Sequence, residues 1–125
     1  IEPQLPRLSL TVVYDFPASQ CALARIRPGS VPVAERFELY LGSVELANGY
    51  HELTDAAEQS RRFERDLLLR EQRGACAVPK DLRLITALES MPDCAGVAMG
   101  IDRLMMALQG AETLADVLAF DFSRA

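Results

Sequence analysis

The sequence predicts an α+β fold in which an antiparallel sheet is flanked by helices. Glu35 to Leu41 and Val44 to Asn48 read as two strands joined by Gly42-Ser43, which is an antiparallel hairpin. A long amphipathic pattern then runs from Thr54 or Asp55 to about Arg73, and near the end a glycine-punctuated strand passes directly into a helix.

Taken in order, Pro3 to Pro6 is an extended lead-in, and Leu8 to Phe16 supplies Val12, Val13, Tyr14 and Phe16 to a strand closed by Pro17. Ala18 to Ile26 suits a short helix or turn, and Pro28-Gly29-Ser30 with Pro32 forms a loop. In Glu35 to Leu41, Phe37, Leu39 and Leu41 alternate with Glu38 and Tyr40, so the three apolar residues are expected on the buried face. Asn48-Gly49 is expected to break the return strand, because both residues tolerate positive φ.

The long helix places Ala56, Ser60, Phe63 and Leu67 on one face, pairs Glu58 with Arg62 and Asp66 with Arg70 on its outer side, and ends at Gly74. Asp81 to Glu89 is a second helix and Met91-Pro92-Asp93 a turn. Gly96 to Ile101 is a strand, Asp102 to Leu108 a helix stopped by Gly110, and Thr113 to Phe122 a last helical turn and strand. The chain reads as one domain of 125 residues, without internal repeats or linkers.

Charge and composition narrow the function. Eighteen acidic against 13 basic side chains give a net charge of -5, so the chain as a whole has no electrostatic footprint for nucleic acid. No stretch approaches the roughly 18 apolar residues of a membrane helix, and the opening residues carry two prolines and an acid where a signal peptide is basic and then apolar. A cytoplasmic location without membrane association is expected. Cys21, Cys76 and Cys94 are odd in number and widely spaced, which suits free thiols better than disulfides or a zinc site.

Two segments carry chemistry. Glu45 and Glu52 lie seven residues apart, which in an unbroken strand puts them on opposite faces. A turn or bulge at Asn48-Gly49 would swing both carboxylates toward one space, where they suit Mg²⁺ with phosphate completing its shell. Equally, Glu45 can be an exposed strand residue and Glu52 the start of a capping region, and spacing alone favours this plainer account. In Gly96 to Arg103, residues 96, 98 and 100 are all minimal and share one side, a floor for a flat ligand, while Val97, Met99 and Ile101 point into a core. Arg103, in the first helical turn, is placed to stack on a purine or reach a phosphate; a small-residue strand packed under a helix, with Arg103 solvated, fits the same pattern.

Together, Glu45-Leu46-Ala47-Asn48-Gly49-Tyr50-His51-Glu52-Leu53-Thr54-Asp55 and Gly96 to Leu104 resemble the C-terminal part of a class II lysyl-tRNA-synthetase-like catalytic domain, the second segment being similar to motif 3 of that class. The finer resemblance is to the short paralogues that attach (R)-β-lysine to elongation factor P, carried by Asp15-Phe16-Pro17-Ala18-Ser19-Gln20, His51 to Asp55, Met91-Pro92-Asp93-Cys94 and Gly110 to Leu114.

The resemblance implies that the chain is the C-terminal half of a class II synthetase-like sheet, with motif 3 at 96–104, with motifs 1 and 2 not in it, and inactive by itself. It implies ATP and Mg²⁺ as cofactors, with Glu45 and Leu46 contacting ATP, Glu45 and Glu52 sharing the metal, Gly100 against the nucleotide and Arg103 over adenine and at the γ-phosphate. Glu52, Asn48 and Ala98 would bind the substrate, lysine or (R)-β-lysine. Ala98 stands where synthetases have glycine, and its methyl is expected to disfavour α-lysine. Elongation factor P is the implied acceptor in place of tRNA, and the full-length parent is expected to be a homodimer. A lysyl-tRNA synthetase and a non-catalytic synthetase-like regulatory module are the competing readings.

Overall fold

A computed structural model describes residues 2–6 and 9–124. Among them are five strands, β1 (Leu10–Pro17), β2 (Ile26–Arg27), β3 (Val33–Leu41), β4 (Val44–His51) and β5 (Ala95–Met99), and three helices, α1 (Ala56–Gln72), α2 (Leu82–Leu88) and α3 (Ile101–Gln109). The strands form one antiparallel sheet in the order β1-β3-β4-β5, with β2 paired to β3. The fold is therefore α+β, as the hairpin and helical patterns predict. The chain divides into two compact units: residues up to His51 with those from Ala95 on, and Glu52–Cys94.

In the first unit, Gly42 (φ +56°) and Ser43 make the expected two-residue hairpin between Leu41 and Val44. Pro17 is tolerated inside β1 because that strand lies at the sheet edge, where a missing N–H costs no ladder bond. The start of this strand at Leu8 falls outside the described residues. Ala18–Gln20 is a 3₁₀ turn, and Cys21, Ala24 and Ala34 form a small buried cluster with Phe16 and Tyr50 against it. α3 begins directly after β5, packs on β4, and ends at Gly110, whose φ of +67° is the left-handed cap position.

Four expectations are corrected here. Asn48-Gly49 does not break β4: Gly49 pairs with both Phe37 and Val97, and the Phe37 ring lies 2.3 Å from where a Cβ on residue 49 would stand. Glycine is required there so that an aromatic ring can lie flat on the strand, not to turn the chain. Second, the buried face of β3 is the polar one, since Glu38 and Tyr40 are buried while Phe37 is 36% exposed. Third, Val97 (63% exposed) and Met99 on β5 and Ile101 at the start of α3 are not core residues, and among the described residues β5 is an edge strand paired only with β4. Fourth, after α3 the described residues carry 3₁₀ turns at Leu114–Asp116 and Phe122–Arg124 and no final strand.

The second unit follows its sequence signals closely. Asp55 caps α1 by accepting from the Glu58 N–H at 2.9 Å, and Gly74 (φ +65°) lies just past its end. Asp81 caps α2 by accepting from the Arg83 and Leu84 N–H groups. The Glu58–Arg62 pair forms at 3.0 Å, yet Arg62 is buried and not on a solvated outer face. Arg70 donates to the Cys76 carbonyl at 3.1 Å, which ties the chain after α1 back onto the helix.

Candidate active site

Cross-strand pairing sorts the first unit's side chains into two faces, because residues directly opposite in an antiparallel ladder project to the same side. One face carries the rows Tyr14, Phe37, Gly49, Val97 and Val12, Leu39, Ala47, Met99. The other carries Val13, Glu38, Asn48, Ala98 in one row, Arg36, Tyr50, Gly96 in the next, and Thr11, Tyr40, Glu45 on the other side.

Glu45 reaches this second face through a bulge. Leu39 pairs with Ala47 but Tyr40 with Glu45, so Leu46 is an extra residue in β4 and the alternation slips by one. The ladder to β3 is bulged at Leu46 and not at Asn48-Gly49, and the bulge puts Glu45 on the same side as Asn48 and Tyr50. Leu46 is buried, and its carbonyl accepts from the Gly100 N–H at 2.9 Å, which joins the bulge to the end of β5.

Arg103 closes this corner. Its Nη1 donates to the Glu45 carbonyl at 2.9 Å, and its side chain runs over Gly100, where an added Cβ would stand 3.4 Å from the Arg103 Cδ. A cleft of about 560 Å³ lined by Glu38, Tyr40, Ser43, Val44, Glu45 and Arg103 opens beside the contact. Gly100, Arg103, Glu45 and Leu46, four of the residues expected to hold nucleotide, therefore converge. Asn48 and Ala98 face each other across β4 and β5 on the same side of the sheet. Glu52 is carried by the second unit, where its N–H donates to the Cys94 carbonyl at 3.0 Å.

Sequence reasoning missed the network that organises this face. Glu38 accepts from the Tyr40 hydroxyl and from the Arg36 guanidinium. Arg36 also donates to the Gln20 carbonyl at 3.2 Å and to Asn48 Oδ1 at 3.4 Å, and lies over the rings of Phe16 (4.5 Å) and Tyr50 (5.7 Å). The signal was present: Arg36, Glu38 and Tyr40 are the alternate positions of β3, and three polar residues in register on a central strand need partners if that face is covered. His51 belongs elsewhere, with Nδ1 2.6 Å from Glu35 on a cluster that includes Arg27 and Asp15.

Among the described residues there is no group of three or more His, Cys, Asp or Glu placed to hold a metal. Mg²⁺ takes one or two carboxylates and completes its octahedron with water and substrate phosphate, so a Glu45 carboxylate lining an open polar cleft fits it without a protein cage. No helix among the described residues is long and apolar enough to cross a membrane. The three cysteines are free.

An antiparallel sheet whose last strand of small residues runs into a helix bearing Arg103 is the architecture of a class II synthetase-like domain. Residues 4–124 match the family model of class II tRNA synthetases (D, K and N), and the chain belongs to that family. The chemistry common to this family is ATP-dependent ligation with Mg²⁺.

Proposed function

We propose that the protein serves an ATP-dependent ligase that activates lysine or (R)-β-lysine and transfers it to a lysine side chain of elongation factor P, the 125 residues forming the C-terminal part of its catalytic domain. The observation that carries the nucleotide half of this reading is the Arg103 corner, in which one guanidinium is fixed by a backbone carbonyl at the mouth of a cleft that also presents Glu45. The finer assignment is supported by Ala98, whose methyl stands opposite Asn48 where a glycine would leave more room for the substrate.

In the first step a carboxylate oxygen of the amino acid attacks the α-phosphorus of ATP, giving an acyl-adenylate and releasing pyrophosphate. In the second, an amine of the acceptor attacks the acyl carbon and AMP leaves. Neither step needs a covalent enzyme nucleophile; fixed cations and positioning supply the acceleration. Glu45 would hold Mg²⁺, which would supply charge neutralisation on the phosphates. Arg103 orients the nucleotide, and Glu52 receives the substrate's amino group.

The deciding experiment is amino-acid-dependent ATP–pyrophosphate exchange by the full-length protein, comparing (R)-β-lysine with α-lysine. Preference for the β isomer is the expected result. Preference for α-lysine moves the assignment to a lysyl-tRNA synthetase, and no exchange with either isomer leaves a regulatory module. Ala98→Gly is expected to shift the preference toward α-lysine by about tenfold, the size of effect a single methyl has in a close-fitting pocket.

A further inference from the structure

Asn48 stands in the middle of the polar face, with Ala98 opposite it on β5 and Glu38 opposite it on β3. An amide can turn either end toward a ligand: its oxygen suits an ammonium group, its NH₂ a carboxylate or carbonyl oxygen. Arg36 decides which. A guanidinium has donors only, so the atom of Asn48 that faces Arg36 Nε, 3.4 Å away, is Oδ1. Among the described residues no group accepts a hydrogen bond from Asn48 Nδ2.

Arg36 is itself held from four directions. Glu38 takes one end of its fork, the Gln20 carbonyl accepts from Nη1, and the Phe16 and Tyr50 rings lie against its plane. Its side chain is only 17% exposed. A side chain this restrained does not swing away to let the amide rotate.

We propose that Arg36 is a positioning residue for the amino-acid substrate: by holding Asn48 Oδ1 it turns the Asn48 NH₂ toward an acceptor oxygen of the amino acid being activated. The proposal rests on the ligase reading above and adds to it a residue that acts through Asn48.

A double-mutant cycle on the full-length protein tests this, reading the Kd of the preferred lysine isomer by calorimetry, the KM for ATP in the exchange assay, and the melting temperature. Arg36→Lys keeps a cation for Glu38, but one ammonium cannot span Glu38, Gln20 and Asn48 together. It is expected to weaken amino-acid binding about tenfold, the value of one hydrogen bond to a charged group, and to leave the KM for ATP within about twofold. In an Asn48→Ala background the same change is expected to add less than about twofold, because the partner it acts through is gone. Equal factors in both backgrounds, or an equal rise in the KM for ATP, overturn the proposal.

Asn48→Asp gives a second, opposite-signed readout and retains a partner for Arg36. It replaces the NH₂ with an acceptor, so amino-acid affinity is expected to fall at least about tenfold with the melting temperature held or raised. Tighter binding would mean that the Asn48 oxygen faces the substrate ammonium, and the proposal fails. Wild-type protein that shows no exchange with either isomer overturns the ligase reading and this inference together; wild-type exchange with an additive cycle overturns the inference alone.

Discussion

The two faces of the sheet invert the usual relation between polarity and burial. On one, Val12, Tyr14, Val97 and Met99 are between 43% and 70% exposed. On the other, Glu38 and Tyr40 are 7% and 5% exposed and Arg36 is nearly enclosed, all in one hydrogen-bonded network. Covering charged groups is unfavourable unless each is paired, and here the covered Glu38 is paired with both Arg36 and Tyr40. The polar face is also where Glu45, Asn48 and Ala98 gather. Burial on that face is confined to the Glu38 and Tyr40 part of it, beside the half-buried Glu45 and Asn48 and the exposed Ala98.

The hardest test of this contrast is to remove one member of the buried pair. Glu38→Ala leaves the Arg36 guanidinium and the Tyr40 hydroxyl without their common acceptor, and the expected loss of stability is about 3–5 kcal/mol by denaturant unfolding, as for other broken buried ion pairs. A loss below about 1 kcal/mol would show that the pair behaves like an ordinary surface salt bridge and that the polar face is effectively wet. Next in size is Gly49→Ala on the apolar face. Its Cβ would meet the Phe37 ring at 2.3 Å and the Gly96 carbonyl oxygen at 3.1 Å. Displacing the ring is expected to cost about 1–3 kcal/mol. Adding Phe37→Leu should recover part of that, and a double variant no better than the single would place the strain in the backbone instead.

How much of this was legible follows from what each signal depends on. Caps and turns are local, and Asp55, Asp81, Gly42-Ser43, Gly74 and Gly110 all do what their residue types suggest. Face assignment is not local. Period-2 alternation in β3 separates Phe37, Leu39 and Leu41 from Glu38 and Tyr40 correctly, but which set is covered depends on what packs on the sheet, which no spacing within β3 contains. Asn48-Gly49 misleads for the same reason: the dipeptide is a strong turn signal, and only the Phe37 ring from the neighbouring strand explains the glycine. Glu45, Leu46, Gly100 and Arg103 were expected together only through the family resemblance, whereas the bulge at Leu46 and the Arg36 network needed the strand register.

A milder probe sets the same ion-pair chemistry in a more open place. Glu58 on α1 accepts from Arg62 at 3.0 Å and from Arg61 at 2.9 Å, and these bonds hold its carboxyl below the usual carboxylate range. Because its folded pKa is depressed, the stabilisation is present above the ordinary glutamate range and is lost as pH falls through the lowered value. With Glu58 about one-third exposed, solvent screens much of it, so Glu58→Gln should cost about 0.5 kcal/mol at neutral pH and nothing measurable in acid, once the Glu58 carboxyl is protonated in the folded as well as the unfolded chain. A cost at neutral pH as large as that of Glu38→Ala would mean that the buried Arg62, and not the accessibility of the carboxylate, sets the energetics of the pair.

The smallest expected effect is the most informative about the apolar face. Val97 has the residue type of a core position, the expectation that sequence alternation gives it, and 63% exposure. Val97→Thr keeps the β-branch that an edge strand favours and exchanges one methyl for a hydroxyl, so at an accessible position the change should lie within about 0.5 kcal/mol. At a covered position the hydroxyl would be stranded without a partner, and the cost would rise to about 1–3 kcal/mol. Measured by denaturant unfolding, the larger value would mean that another element covers this side of the sheet and that both faces are interior. The smaller value keeps the inversion as described, with Glu38 and Tyr40 covered and the apolar side chains of an edge strand facing solvent.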